Sequence, residues 1–151
     1  MAEPLLNILG VTKSYGRVVA NDDVDIRVEA SRIHAVLGEH GAGKSTLMKV
    51  IYGVTKPDSG TVEWEGRAVD IASPAEARRL GVGMVFQHFS LFETLTVTEN
   101  ISLAVPGTKV ELAQRIKDAS ARSGLDVEPG AHVHTLTVGE RQRVEILKAL
   151  Y

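Results

Sequence analysis

Apolar and charged positions alternate in VDIRV (24–28), and this period of two predicts a strand with one wet face. The run IHAVLG (33–38) is different: it is almost continuously apolar and ends on a glycine, as suits a strand buried on both faces. In STLMKVIYG (45–53) the period becomes helical, with Leu47, Val50 and Ile51 on one face and Gly53 placed to stop the helix. TVEWEG (61–66) alternates again, between glycines at 60 and 66, and VGMVFQ (82–87) reads as another buried strand.

Helix starts are marked by hydroxyl residues followed three positions later by glutamate. Ser73 with Glu76 forms such a capping box, with Pro74 at the first helical position and Gly81 as the stop. Thr96 with Glu99 opens a helix through ENISLA, and Thr137 with Glu140 opens GERQRVEILKALY (139–151). Between them, KVELAQRIKDASARSG (109–124) is amphipathic and stops at Gly124, and LDVEPGAHVH (125–134) is a loop. There is no internal repeat, low-complexity tract or interdomain linker.

Composition narrows the classes of partner. With 151 residues the chain suits one domain, and 17 basic against 19 acidic residues give a net charge of -2. General nucleic-acid and lipid binders usually carry a basic excess, so an anionic ligand must be held locally and no nucleic-acid partner is expected. The absence of cysteine removes disulfides, thiolate metal sites and cysteine nucleophiles. His88, His132 and His134 lack a repeated ligand spacing and read as solvated or structural. The start, MAEPLLNILG, has no basic n-region, and no run approaches the roughly 18 apolar residues of a membrane span. The expectation is a soluble intracellular chain that meets the membrane only through a partner.

Gly38-Glu39-His40-Gly41-Ala42-Gly43-Lys44-Ser45-Thr46 fits the phosphate-binding P-loop pattern. Glycines let the backbone turn tightly so that successive N–H groups point at the β-phosphate of a nucleotide, and the following helix adds its positive end. Lys44 would reach the β- and γ-phosphates, and Ser45 would give its hydroxyl to Mg²⁺. A buried strand before the loop and a helix after it supply the context that the pattern requires. Guanine-nucleotide switches and nucleotide kinases would pass the same test.

TLTVGERQRVEILKALY (135–151) resembles the signature motif and helix of ATP-binding cassette (ABC) proteins, with Leu136, Thr137, Val138, Gly139 and Glu140 at the motif positions. Thr137 stands where that family usually has serine, Arg141 where glutamine is common, and His40 where GENGAGKST has asparagine. A hydroxyl N-cap, a glycine and free N–H groups at a helix start make a second anion site. The resemblance implies that this motif caps the γ-phosphate on a second cassette, so that two cassettes sandwich two nucleotides. It also implies that Tyr15 stacks on adenine and that Gln87 touches Mg²⁺ and the attacking water, which makes Lys44 and Gln87 the catalytic candidates and Ser45 and Gln87 the metal ligands.

The wording of VANDDVDI, HAVLGEHGAGKSTLMKVIYG, GMVFQHF, LTVTENI and VGERQRVEILKALY is similar to the N-terminal cassette of importers for simple sugars and nucleosides. Full members of that group carry two cassettes. The expected fold is α/β: a P-loop core with an antiparallel N-terminal sheet and a partial parallel sheet over about 1–87, a helical segment over about 88–138, and the signature helix over 139–151. The strand that carries the family's acidic residues has no counterpart, so the chain is expected to be most of one cassette and to hydrolyse ATP poorly by itself.

The implied function is binding of Mg-ATP and, in the longer parent, import of a solute at the cytoplasmic face of the membrane. Partners would be a second cassette, permease subunits and, indirectly, a solute-binding protein; the solute itself cannot be named because the cassette never touches it. Phe89, Leu91, Phe92 and Leu95 form an apolar patch that suits a groove for a permease helix. A soluble ABC ATPase acting on DNA or ribosomes, and a non-catalytic nucleotide-binding module, remain alternatives.

Overall fold

The computed structural model describes residues 3–151, and the chain divides into two compact units, one ending at Gly83 and one running from Met84 to Tyr151. The first unit is built on a four-stranded sheet in the order β2-β1-β3-β4, with every pairing antiparallel. Its strands are β1 (Leu6–Tyr15), β2 (Val18–Val28), β3 (Ser59–Trp64) and β4 (Arg67–Val69). β1 is central, yet the period-two pattern does not announce it. Gly10 takes φ 59°, and the register slips between Ile8 and Val11 and again between Val11 and Lys13, so Ile8 and Val11 both end up fully buried although three apart.

Two helices complete this unit. α1 (Lys44–Ile51) buries Leu47 and Val50, two of the three residues that the helical period assigns to its inner face. α2 (Pro74–Arg79) starts where the sequence predicts, with the Ser73 side chain accepting the Glu76 N–H and Pro74 at the first helical position, but the Glu76 carboxylate accepts from the Ala72 N–H at 2.7 Å, so the expected box is only half formed.

The parallel part of the expected sheet does not form. Residues 33–38 and 82–87 form no strand and enter no ladder, and Ile33 and Leu37 are 102% and 89% exposed. An apolar run becomes an interior strand only when neighbouring strands take its N–H and C=O groups and cover both faces. Among the described residues no strand pairs with either run, and the local pattern carries no information on that point.

The second unit is helical: α3 (Val97–Ser102), α4 (Lys109–Ser123) and α5 (Val138–Ala149), with a 3-10 turn at Val133–Thr135. Val97, Ile101, Leu112, Ile116, Val144 and Leu147 form one buried core contributed by all three helices. Gly124 ends α4 in the left-handed conformation, at φ 69°, as the sequence predicts. Thr96 and Thr137 form the expected capping boxes, and Thr108 with Glu111 forms another that the sequence reading missed.

Candidate nucleotide site

The P-loop leads directly into α1, and that helix starts unlike the others. Ser73, Thr96, Thr108 and Thr137 each cap a helix with a side-chain oxygen, and each of those helices has a glutamate in its first turn. α1 has Gly43 as its N-cap, with no side-chain cap and no acidic residue in its first turn. Its first N–H groups and the positive end of its dipole therefore face outward without an internal counter-charge.

The loop before it is shaped for close approach. Gly41 and Gly43 take φ 86° and 83°, and the Ala42 N–H donates to the Glu39 carbonyl at 3.2 Å. Lys44 folds back over the loop, where its ammonium donates to the carbonyls of Gly38 and Glu39, each at 2.7 Å. Ser45 is exposed on the first turn of α1. A lysine held over the loop, a hydroxyl beside it and unopposed helix N–H groups form a donor set that fits a polyphosphate and its magnesium ion. Lys44 and those N–H groups would hold the phosphates, and Ser45 would ligate Mg²⁺.

β2 braces the loop from one side. A Cβ on Gly43 would lie 1.9 Å from the Ala20 carbonyl oxygen and 2.8 Å from Asn21 Nδ2. The Asn21 amide donates to the Gly43 carbonyl at 3.2 Å, while its Oδ1 is buried without a partner among the described residues. Sequence reasoning missed this residue. Its only signal is an amide, rather than an apolar side chain, at an inward position of ANDDVDI.

Tyr15 lies at the end of β1, next to the Gly16–Arg17 turn. Its ring is about half exposed, with the Lys13 ammonium 5.6 Å from the centroid. An exposed aromatic face with a cation on it is a surface on which a base can stack.

The other candidates lie in the second unit. Gln87 is exposed, at a bend that precedes the apolar patch. That patch is divided: Leu91 packs against the helical core, while Phe89 and Phe92 are 39% and 60% exposed. The expectation that Leu91 faces outward with the phenylalanines is therefore corrected: its side chain is drawn against the buried core of α3, α4 and α5.

At the start of α5, Thr137 and Glu140 hold each other. The Thr137 hydroxyl and N–H both donate to a Glu140 carboxylate oxygen at 2.7 Å, and the Glu140 N–H donates to the Thr137 oxygen at 3.3 Å. The hydroxyl bond, and then the amide bond, hold the Glu140 carboxyl below the usual carboxylate range. Leu136 packs on the core and accepts from Arg141 Nε at 3.2 Å. Val138 is exposed, and a Cβ on Gly139 would meet open space. The box takes the amides of Thr137 and Glu140, so a second anion site here would rest on those of Val138 and Gly139, beside a carboxylate. His134 Nδ1 lies 3.1 Å from the Glu93 carbonyl oxygen, and its ring centroid is 5.5 Å from that of His132.

A family model described as ABC transporter matches residues 21–151. The nucleoside import ATP-binding protein NupA of Lactococcus lactis subsp. cremoris is 46% identical over 99% of this chain and 31% of its own length. The guanosine import ATP-binding protein NupO of Bacillus subtilis is 43% identical over 99% of this chain and 30% of its own. A ribose import ATP-binding protein, RbsA 1 of Rubrobacter xylanophilus, is 44% identical over 97% of this chain and 31% of its own. The chain thus spans about a third of these relatives. Among solved structures, the ATP-binding cassette MJ1267 of an ABC transporter superposes with a TM-score of 0.82 at 28% identity, over 99% of this chain and 65% of that one. The cassette MJ0796 bound to ADP and Pi, a dimer, gives 0.79 at 26% identity, over 96% and 68%.

Proposed function

The chain belongs to the ABC transporter family, and we propose that it is the ATP-binding part of an importer for a nucleoside or a simple sugar. Mg-ATP sits on the loop Gly38–Thr46. The observation that carries this reading is α1, which among the described α-helices alone starts without a side-chain cap or an acid, immediately after a glycine loop spanned by Lys44. The importer reading draws on relatives named for nucleoside, guanosine and ribose import, at 43–46% identity. Those names favour it over a soluble ATPase acting on nucleic acid or ribosomes.

In the longer protein the cassette works with a second cassette, whose nucleotide meets Leu136 to Glu140, and with permease subunits at the cytoplasmic face of the membrane. A solute-binding protein acts on the other side of those permeases. No helix of the described residues is long and apolar enough to cross a membrane. Gln87 would be a further ligand for Mg²⁺ and would orient water. The carboxylates nearest the motifs are Glu39, on the loop, and Glu140, which is committed to Thr137. Glu140 is therefore not free to act as a general base, and these 151 residues turn ATP over slowly.

Calorimetric titration with Mg-ATP and Mg-GTP tests the nucleotide site. Both bind, with a modest preference for ATP, because stacking on a ring is largely indifferent to the base. Tyr15→Ala weakens both, by about 1–3 kcal/mol if the full stacking contact is lost. A chain that binds neither nucleotide overturns the reading, and a Tyr15→Ala form that binds both unchanged removes Tyr15 from the site.

The partner surface is tested separately. Phe89→Ser with Phe92→Ser, introduced into the longer protein, abolishes co-purification with the permease and leaves nucleotide affinity within about twofold, since both rings are on the surface. Retained co-purification excludes the phenylalanines from that contact. Leu91→Ser, by contrast, lowers stability, because Leu91 packs on the core.

A further inference from the structure

Glu145 is a carboxylate on α5 that is only 2% exposed and that neither the motifs nor the capping boxes use. A buried carboxylate is costly unless donors surround it. Its donors come from one residue far along the chain: Oε1 accepts from the Ser90 N–H at 2.7 Å and from the Ser90 hydroxyl at 3.0 Å. One turn on, Lys148 Nζ lies 3.2 Å from both the carbonyl oxygen and the hydroxyl oxygen of Ser90. All three polar groups of Ser90 are thus held by α5. Ser90 is three residues beyond Gln87 and is flanked by Phe89 and Leu91.

We propose that Glu145 is a positioning residue: through Ser90 it locks the segment that carries Gln87 and the exposed phenylalanines onto the helix that Thr137 opens. A partner bearing on Phe89 or Phe92 then moves α5 together with the Thr137 to Glu140 start, rather than bending a loose loop. A clasp of two side chains on every polar group of one serine does what a hydrophobic contact would not, since it fixes position along the helix as well as against it. The role in coupling rests on the reading of Gln87 and of Thr137 to Glu140 as nucleotide-facing groups; the clasp itself does not.

The absence of cysteine gives a clean test, because a nitroxide attached at His88→Cys or at Gln142→Cys is the chain's only label. Both sites are exposed, one on the clasped segment and one on α5. At a temperature well below the melting transition, Glu145→Ala shortens the rotational correlation time at position 88 by at least about twofold and leaves position 142 unchanged. Glu145→Gln, which keeps an oxygen for the Ser90 N–H, restores most of the order at 88. A lower melting temperature with an unchanged spectrum at 88 overturns the proposal, as does loss of order at both sites. If Glu145→Ala does not fold, Glu145→Leu, which fills the same space without an acceptor for the Ser90 N–H or hydroxyl, is read in the same way: an unchanged spectrum at 88 overturns the proposal and a mobilised one supports it. Titration of the labelled parent with Mg-ATP reports on the nucleotide reading independently of these spectra.

Discussion

Gly43→Ala unfolds at a markedly lower denaturant concentration than the parent chain and loses measurable binding of Mg-ATP. Two costs combine. The left-handed conformation at φ 83° disfavours any residue with a Cβ, by about 1–2 kcal/mol. The Cβ would also lie 1.9 Å from the Ala20 carbonyl oxygen, which belongs to the backbone of β2 and cannot rotate away. Forcing the loop off the strand adds about 1–3 kcal/mol, as overpacking does elsewhere. Gly41→Ala separates the two terms, because Gly41 has φ 86° but nothing within 4 Å of its would-be Cβ. It carries the conformational cost alone and is the milder variant by at least about 1 kcal/mol in urea unfolding. Equal midpoints for the two variants would show that β2 does not hold the loop at Gly43.

The contrast between Gly41 and Gly43 also marks where sequence reading stops. Both glycines belong to the P-loop pattern, and nothing in the pattern distinguishes them, since the difference is made by a strand some twenty residues earlier. Features written within a few residues were legible: Thr96 with Glu99, Thr137 with Glu140, and Gly124 as a helix stop all stand where local rules place them. β1 was not, because its bulges carry Ile8 and Val11 to one side out of phase with a simple alternation. Nor was the state of residues 33–38 and 82–87. Their composition is that of interior strands, but a strand is made by its neighbours, and no neighbour pairs with them among the described residues. Leu91 and Glu145 show the same limit in the helical unit. One hydrophobic residue in a patch of four turns inward, and one glutamate in a charged helix is buried against a serine 55 positions away.

Lys44→Ala reduces affinity for Mg-ATP by about one to two decades, the equivalent of roughly 1.5–3 kcal/mol for a lost charge-assisted hydrogen bond to phosphate. In the structure the ammonium already lies over the loop, bonded to the carbonyls of Gly38 and Glu39. Those bonds place the charge where a polyphosphate would lie against the start of α1, and their exchange for phosphate oxygens is favourable because an ionised acceptor binds an ammonium more strongly than a neutral carbonyl. The same bonds are exposed, so their loss changes the unfolding free energy by no more than about 0.5 kcal/mol. The variant is therefore defective in binding while its fold is unchanged, which sets it apart from Gly43→Ala. A second comparison sharpens the assignment. If the ammonium reaches the γ- as well as the β-phosphate, the substitution weakens ATP more than ADP, and the difference shrinks as salt screens the contact. Calorimetric titration of both nucleotides at two ionic strengths, with urea unfolding alongside, measures all of these quantities. Equal ATP affinities for parent and variant would remove Lys44, and with it the loop from Gly38 to Thr46, as the place where the nucleotide binds.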